Sequence, residues 1–153
     1  MRKLKDVKIP VSIGSFYVEG INDKLLEALK DMYCFLPEFH LSLQSGDDTV
    51  LRTMGRKYNT DEYYAKVLDI KKYFPDARLT TDIIVGFPSE TDESNENTMN
   101  FIEKVGFSDI HIFVFSPREG TKAYDMPQIP PETVERRRLL LTELKKKLNS
   151  KGA

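Results

Sequence analysis

Apolar and polar positions alternate along residues 7–16 and 39–44, and apolar side chains crowd the ends of 77–85 and 109–115. A period of two marks a strand with one covered face; the unbroken Ile83-Ile84-Val85 marks a strand covered on both. Between these stretches the period lengthens to that of a helix. Asn22-Asp23 opens one helix with an apolar stripe of Leu25, Leu26, Leu29 and Met32. A short helix is predicted over 48–54, stopped by Gly55, and a longer one over 60–74, with Tyr63, Val67, Ile70 and Phe74 on its inner side and Pro75 as its end. Residues 92–105 repeat the pattern through Met99, Ile102 and Val105 up to Gly106. A last helix begins at Pro131, where a missing N–H costs nothing, and carries Leu141, Leu144 and Leu148 on one side. Residues 150–153 read as a frayed tail.

Strands that alternate with helices require right-handed crossovers and a parallel sheet. The expected fold is therefore α/β, a parallel sheet of about four strands in βα repeats with a C-terminal helix. At 153 residues the chain suits one domain, 1–153, with its own hydrophobic core. Pro10 argues for an edge position or a strand start in residues 7–16.

Composition narrows the chemistry. Lys and Arg number 23 against 24 Asp and Glu, so the whole-chain field offers no basic footprint for nucleic acid, and any such contact has to be local. No apolar run is long enough for a bilayer and residues 1–6 lack the apolar centre of a signal peptide, so the chain reads as cytoplasmic with no membrane partner. Its one cysteine, Cys34, cannot form an internal disulfide, a redox pair or the ligand set of an iron–sulfur cluster, and its apolar neighbours suggest a buried, inert thiol. His40 and His111, the only histidines, each sit in an apolar strand-like run that favours a hydrogen-bonded structural role. No metal-ligand set is expected.

Three successive strands end in loops that combine glycine with ligand-binding groups, and in a parallel sheet those loops share one edge. Gln44-Ser45-Gly46 either closes a turn and caps the next helix or faces a ligand. Gly86 exposes backbone that a ligand can approach, and Glu90 is spaced to accept from amines or ribose hydroxyls. Ser116 and Arg118 offer a fork for a carboxylate or phosphate, while Asp82 could point into the sheet's interior or barrel, where a buried carboxylate needs a partner. Arg136, Arg137 and Arg138 form either a solvated face or one that reaches phosphates. No nucleophile–base pair is present, so the site is one that binds a charged, nucleoside-like molecule and leaves difficult chemistry to a cofactor.

His-Leu-Ser-Leu-Gln-Ser-Gly (40–46), Met-Gly-Arg-Lys-Tyr (54–58), Thr-Thr-Asp-Ile-Ile-Val-Gly-Phe-Pro-Ser-Glu-Thr (80–91) and Phe-Ser-Pro-Arg-Glu-Gly-Thr (115–121) resemble, in order and spacing, the radical S-adenosylmethionine methylthiotransferases. The resemblance spans about residues 21–148, and Ser42 and His111 resemble most the branch acting on threonylcarbamoyladenosine in tRNA. It implies the C-terminal half of a partial TIM-type barrel. It also implies S-adenosylmethionine as cofactor, tRNA as the complete enzyme's partner and methylthiolation at C2 of modified adenosine 37. Gln44, Ser45, Asp82, Gly86, Glu90, Ser116 and Arg118 would then line the cofactor and the reacting adenosine.

The family's Cys-x-x-x-Cys-x-x-Cys, which holds the four-iron cluster, is absent from this sequence, as are its N-terminal cluster domain and RNA-binding domain. This chain alone is therefore expected to bind no cluster and to be inactive. Ser89 replaces a usual glycine, Lys122 a usual proline, and Phe16-Tyr17-Val18 stands where the family has an apolar residue followed by Glu-Pro. Alternatives are a fragment of a ribosomal-protein methylthiotransferase, or a non-catalytic binding module or partner subunit that associates through its open sheet edge.

Overall fold

The computed structural model describes residues 8–152. Its elements run α1 (Asp23–Lys30), β1 (Glu38–His40), α2 (Asp48–Thr53), α3 (Thr60–Tyr73), β2 (Arg78–Val85), α4 (Asp92–Val105), β3 (Asp109–Val114) and α5 (Pro131–Lys151). The strands form an open, wholly parallel sheet in the order β1-β2-β3, as the βα alternation requires. Residues 8–16, the described part of the strand expected over 7–16, do not form it. Of the described part, only Val11 and Phe16 bridge, to Phe35 and Leu41, because Pro10 lacks a donor and Gly14 interrupts the run. Val7 lies outside the described residues.

The helix starts match their capping chemistry. Asn22 accepts from the Leu25 amide, Asn59 and Glu62 form a reciprocal capping box, and Thr91 pairs likewise with Ser94. Gly106 ends α4 in the left-handed region at φ 74°. At the C-terminus the expected fraying does not begin at Ser150: α5 continues to Lys151, and Ala153 lies outside the described residues.

Alternation along β2 assigns the two faces. Leu79, Thr81, Ile83 and Val85 are buried beneath helices, whereas Thr80, Asp82 and Ile84 are only half-covered on the opposite face. The helix side is sealed by one core that includes Phe39, Leu41, Tyr63, Ile83, Ile102, Ile110 and Leu141. Among the described residues no helix covers the other face, and Phe113 is 53% exposed.

The first strand stops short of its predicted end for a specific reason. His40 pairs with Thr80 but Gln44 pairs with Ile83, so the first strand carries one more residue between these points than β2 does. The bulge is plugged by Thr81, whose Oγ1 accepts from the Leu43 amide at 2.8 Å and donates to the Leu41 carbonyl at 2.6 Å. Tyr63 donates to the same Leu41 carbonyl, and Tyr58 to those of Ser42 and Leu43. Burial pushes both phenols above their usual range, so both act as hydroxyl donors.

Candidate functional site

The bulge delivers Gln44 to the carboxyl edge of the sheet in a left-handed conformation, φ 75°, the only described non-glycine residue held there. Gln44 lines a groove with Ser42, Tyr17, Arg56 and Tyr58. Beside it on the same edge lies a cleft of about 670 Å³ lined by Ile84, Phe87, Phe113, Phe115, Ser116 and Arg118, with Arg52 and Lys122 also contributing. Phe87 and Phe115 meet edge to face at 5.1 Å. Aromatic walls and a guanidinium suit a flat ligand with an anionic group.

Deeper on the bare face, Asp82 finds the partners its position demands. His40 Nε2 lies 3.2 Å from Oδ2, His111 Nδ1 lies 3.1 Å from Oδ1, and the Ser42 hydroxyl donates to Oδ2 at 3.3 Å. The two imidazoles stack at 5.5 Å, and His40 Nδ1 is 2.9 Å from the Thr80 hydroxyl.

The seven residues expected to line the site divide between the two faces. Gln44, Asp82, Ser116 and Arg118 lie on the bare face or its carboxyl edge. Ser45, Gly86 and Glu90 are engaged with helices instead. Ser45 is 3% exposed, with its hydroxyl 3.3 Å from that of Thr98 in α4. The space beside Gly86 is filled by Val134: a Cβ there would stand 2.8 Å from the valine's Cγ1. Glu90 is buried, accepts from the Gly86 amide at 3.1 Å and receives Arg137 Nη1 at 3.0 Å. Burial pushes its carboxyl up, against the Gly86 amide and the Arg137 guanidinium, which favour the charged form. Beside it, the Ser89 hydroxyl is buried without a protein partner.

The arginine triplet divides: Arg136 and Arg138 keep 55% and 37% of their side chains exposed beside acidic partners, whereas Arg137 is buried. Arg137 is 5% exposed and also bonds the Glu90 carbonyl and Asp92, Arg136 pairs with Asp92, and Arg138 with Glu135. Sequence reasoning missed the burial of Arg137, although it continues the stripe Val134, Leu141, Leu144, Leu148 at three- and four-residue spacing. It also missed that His40 and His111 share a face with Asp82. Period-two counting from Ile84 and Phe113 could have found that. Cys34 is half-buried, not enclosed.

A helix-backed parallel sheet with one bare polar face and its loops gathered at the carboxyl edge is a segment of an α/β barrel. The chain belongs to the radical SAM superfamily, whose family pattern matches residues 1–102. It is 45% identical over 129 residues to threonylcarbamoyladenosine tRNA methylthiotransferase MtaB of Thermotoga maritima, a stretch covering 84% of this chain and 30% of that protein. It is 42% identical over 140 residues to the tRNA-2-methylthio-N(6)-dimethylallyladenosine synthase of Oceanobacillus iheyensis, covering 91% and 27%. The structure of Escherichia coli coproporphyrinogen III oxidase (HemN), a radical SAM enzyme, superposes with a TM-score of 0.69 over 87% of this chain and 31% of its own; at 17% identity this shows a shared fold. The chain thus falls in a family of enzymes and spans about 30% of the length of its curated methylthiotransferase relative. Among the described residues no helix is long and apolar enough to cross a membrane.

Proposed function

We propose that this chain provides the cofactor- and substrate-facing part of a barrel that adds a methylthio group to C2 of modified adenosine 37 in tRNA, within a cytoplasmic enzyme. The cleft bounded by Phe113, Phe115, Ser116 and Arg118 carries the reading. Its aromatic walls accept a purine face, Arg118 and Ser116 answer a carboxylate, and Gln44 presents an amide from the neighbouring strand end. S-adenosylmethionine fits this donor set, and when bound in the complete enzyme it supplies the hydrogen-abstracting chemistry. A four-iron cluster does not fit: its thiolate set cannot come from Cys34 alone, so the isolated chain is expected to be inactive. The threonylcarbamoyl branch is favoured by the Phe39-His40-Leu41-Ser42-Leu43 motif and by the Thermotoga relative.

Calorimetric titration of the chain with S-adenosylmethionine tests the reading. Saturable binding that falls at least about tenfold in Arg118→Ala, with unchanged thermal unfolding, supports it. Binding indifferent to Arg118 and Phe113 removes the cleft as the site. Transplanting residues 21–148 into the Thermotoga enzyme then tests substrate: mass spectrometry of tRNA should find methylthiolated threonylcarbamoyladenosine and not methylthiolated dimethylallyladenosine.

A second reading, a binding module or partner subunit, is favoured by β3. One side of this strand pairs with no described strand, and Phe113 and Val114 are about half exposed. A dimer in light scattering that Val114→Lys dissolves would support it.

A further inference from the structure

His40, Asp82 and His111 converge on the bare face with their donor atoms all within 4.8 Å of one another. We propose that these three side chains bind one first-row divalent cation of borderline softness, with Zn²⁺ as its probe. The inference stands independently of the methylthiotransferase reading.

Geometry supports it first. Donors held about 2.0–2.1 Å from a tetrahedral zinc lie roughly 3.3 Å apart. The two carboxylate–imidazole separations here are 3.2 and 3.1 Å, one to each oxygen of Asp82, and all the donor atoms lie within 4.8 Å of one another, so an ion seats once the exposed His111 ring turns inward by up to about 1.5 Å. The scaffold is rigid as well. Asp82 and His111 are register partners across β2 and β3, and His40 pairs with Thr80, two residues before Asp82. Ligands on hydrogen-bonded strands are better preorganised than ligands on loops.

Outer partners then orient the ligands. Thr80 Oγ1 sits 2.9 Å from His40 Nδ1, which turns Nε2 toward Asp82, and Ser42 donates to the carboxylate. In the complex His40 Nε2 and His111 Nδ1 each present a lone pair to the cation, and the ring hydrogen then stands on the other nitrogen, where His40 donates to Thr80 and His111 to water.

Chemistry selects the ion. Two imidazoles and one carboxylate suit Zn²⁺, Co²⁺, Ni²⁺ or Fe²⁺, whereas Mg²⁺ and Ca²⁺ seek an all-oxygen shell. The His111 side chain is 50% exposed, so water or a further ligand can complete the coordination. His40 and Asp82, at 18% and 24%, are drier.

The test uses the full chain stripped with chelator, titrated calorimetrically with Zn²⁺ and followed by visible absorption with Co²⁺. One equivalent should bind, and His111→Ala and Asp82→Asn should each weaken it by at least about tenfold, while Cys34→Ser binds as the parent does. Cobalt should develop ligand-field bands that His111→Ala abolishes. Half-exposed His111 is the position least able to disturb folding, and circular dichroism confirms that the variant is native. No binding by the folded parent overturns the proposal, leaving only a hydrogen-bonded clasp. So does binding of equal strength in His111→Ala, or binding lost with Cys34.

Discussion

Gly86 and Val134 compete for one volume: a Cβ built on Gly86 would lie 2.8 and 2.9 Å from the valine's two γ-carbons. Gly86 also holds φ at 83°, where a side chain is strained in any surroundings. Gly86→Ala should therefore destabilise the chain by about 2–4 kcal/mol, read from urea denaturation. Val134→Ala in that background should recover the packing share and leave roughly the backbone share of about 1–2 kcal/mol. An unchanged urea midpoint in Gly86→Ala would show that α5 does not rest on this loop.

Arg137 is the second anchor of α5. Its removal leaves the buried Glu90 carboxylate without its cation, so Arg137→Met should cost about 3–5 kcal/mol. Arg137→Lys should not restore it, because one ammonium cannot serve the Glu90 carboxylate, the Glu90 carbonyl and Asp92 from the positions of a fork. A double-mutant cycle with Glu90→Gln should show strong coupling.

The same cluster gives stability a two-sided acid dependence. Glu90 is raised from an ordinary 4.5 by burial, so in the window above 4.5 the native state keeps a proton that the unfolded chain has released. Its contribution to stability rises as pH falls through that window. Asp92 is lowered from 3.8 by hydrogen bonds from Arg137 and Arg136, so its contribution is present above 3.8 and is lost as pH falls toward its folded value. Denaturation at a series of pH values should find that Glu90→Gln flattens the upper limb and Asp92→Asn the lower one.

Thr81 is a test of the bulge. Its hydroxyl is the partner of the buried Leu43 amide, so Thr81→Val should cost about 1–3 kcal/mol and speed hydrogen exchange at Leu43. Thr81→Ser keeps the hydroxyl and should cost less. Equal exchange at Leu43 in the parent and Thr81→Val would mean that another group holds that amide.

Much of the fold was legible in the sequence because helices and inner strands obey local rules. The helix beginning at Asp92 and ending at Gly106 follows from a hydroxyl cap, a 3.6 period and a glycine stop. What failed was non-local. Residues 39–44 keep perfect alternation, so nothing local betrays a bulge that arises from the Thr81 side chain on another strand. The placement of the loop residues was half legible for a related reason. Loop composition located the carboxyl edge, but glycine, serine and glutamate in a loop look alike whether they meet a ligand or a helix. Only α5, more than forty residues downstream in the sequence, decides for Gly86 and Glu90.

That separation also orders events during biosynthesis. Arg137 reaches Glu90 across 47 residues of chain, and α5 is made after all three described strands. A nascent chain can pair its three strands while the glutamate still lacks its cation, since the strands end at Val114. The loop after β2 therefore acquires its final shape only when α5 has left the ribosome. Until then the emerging chain presents an anionic, unlatched loop, which a chaperone or protease would distinguish from the latched one.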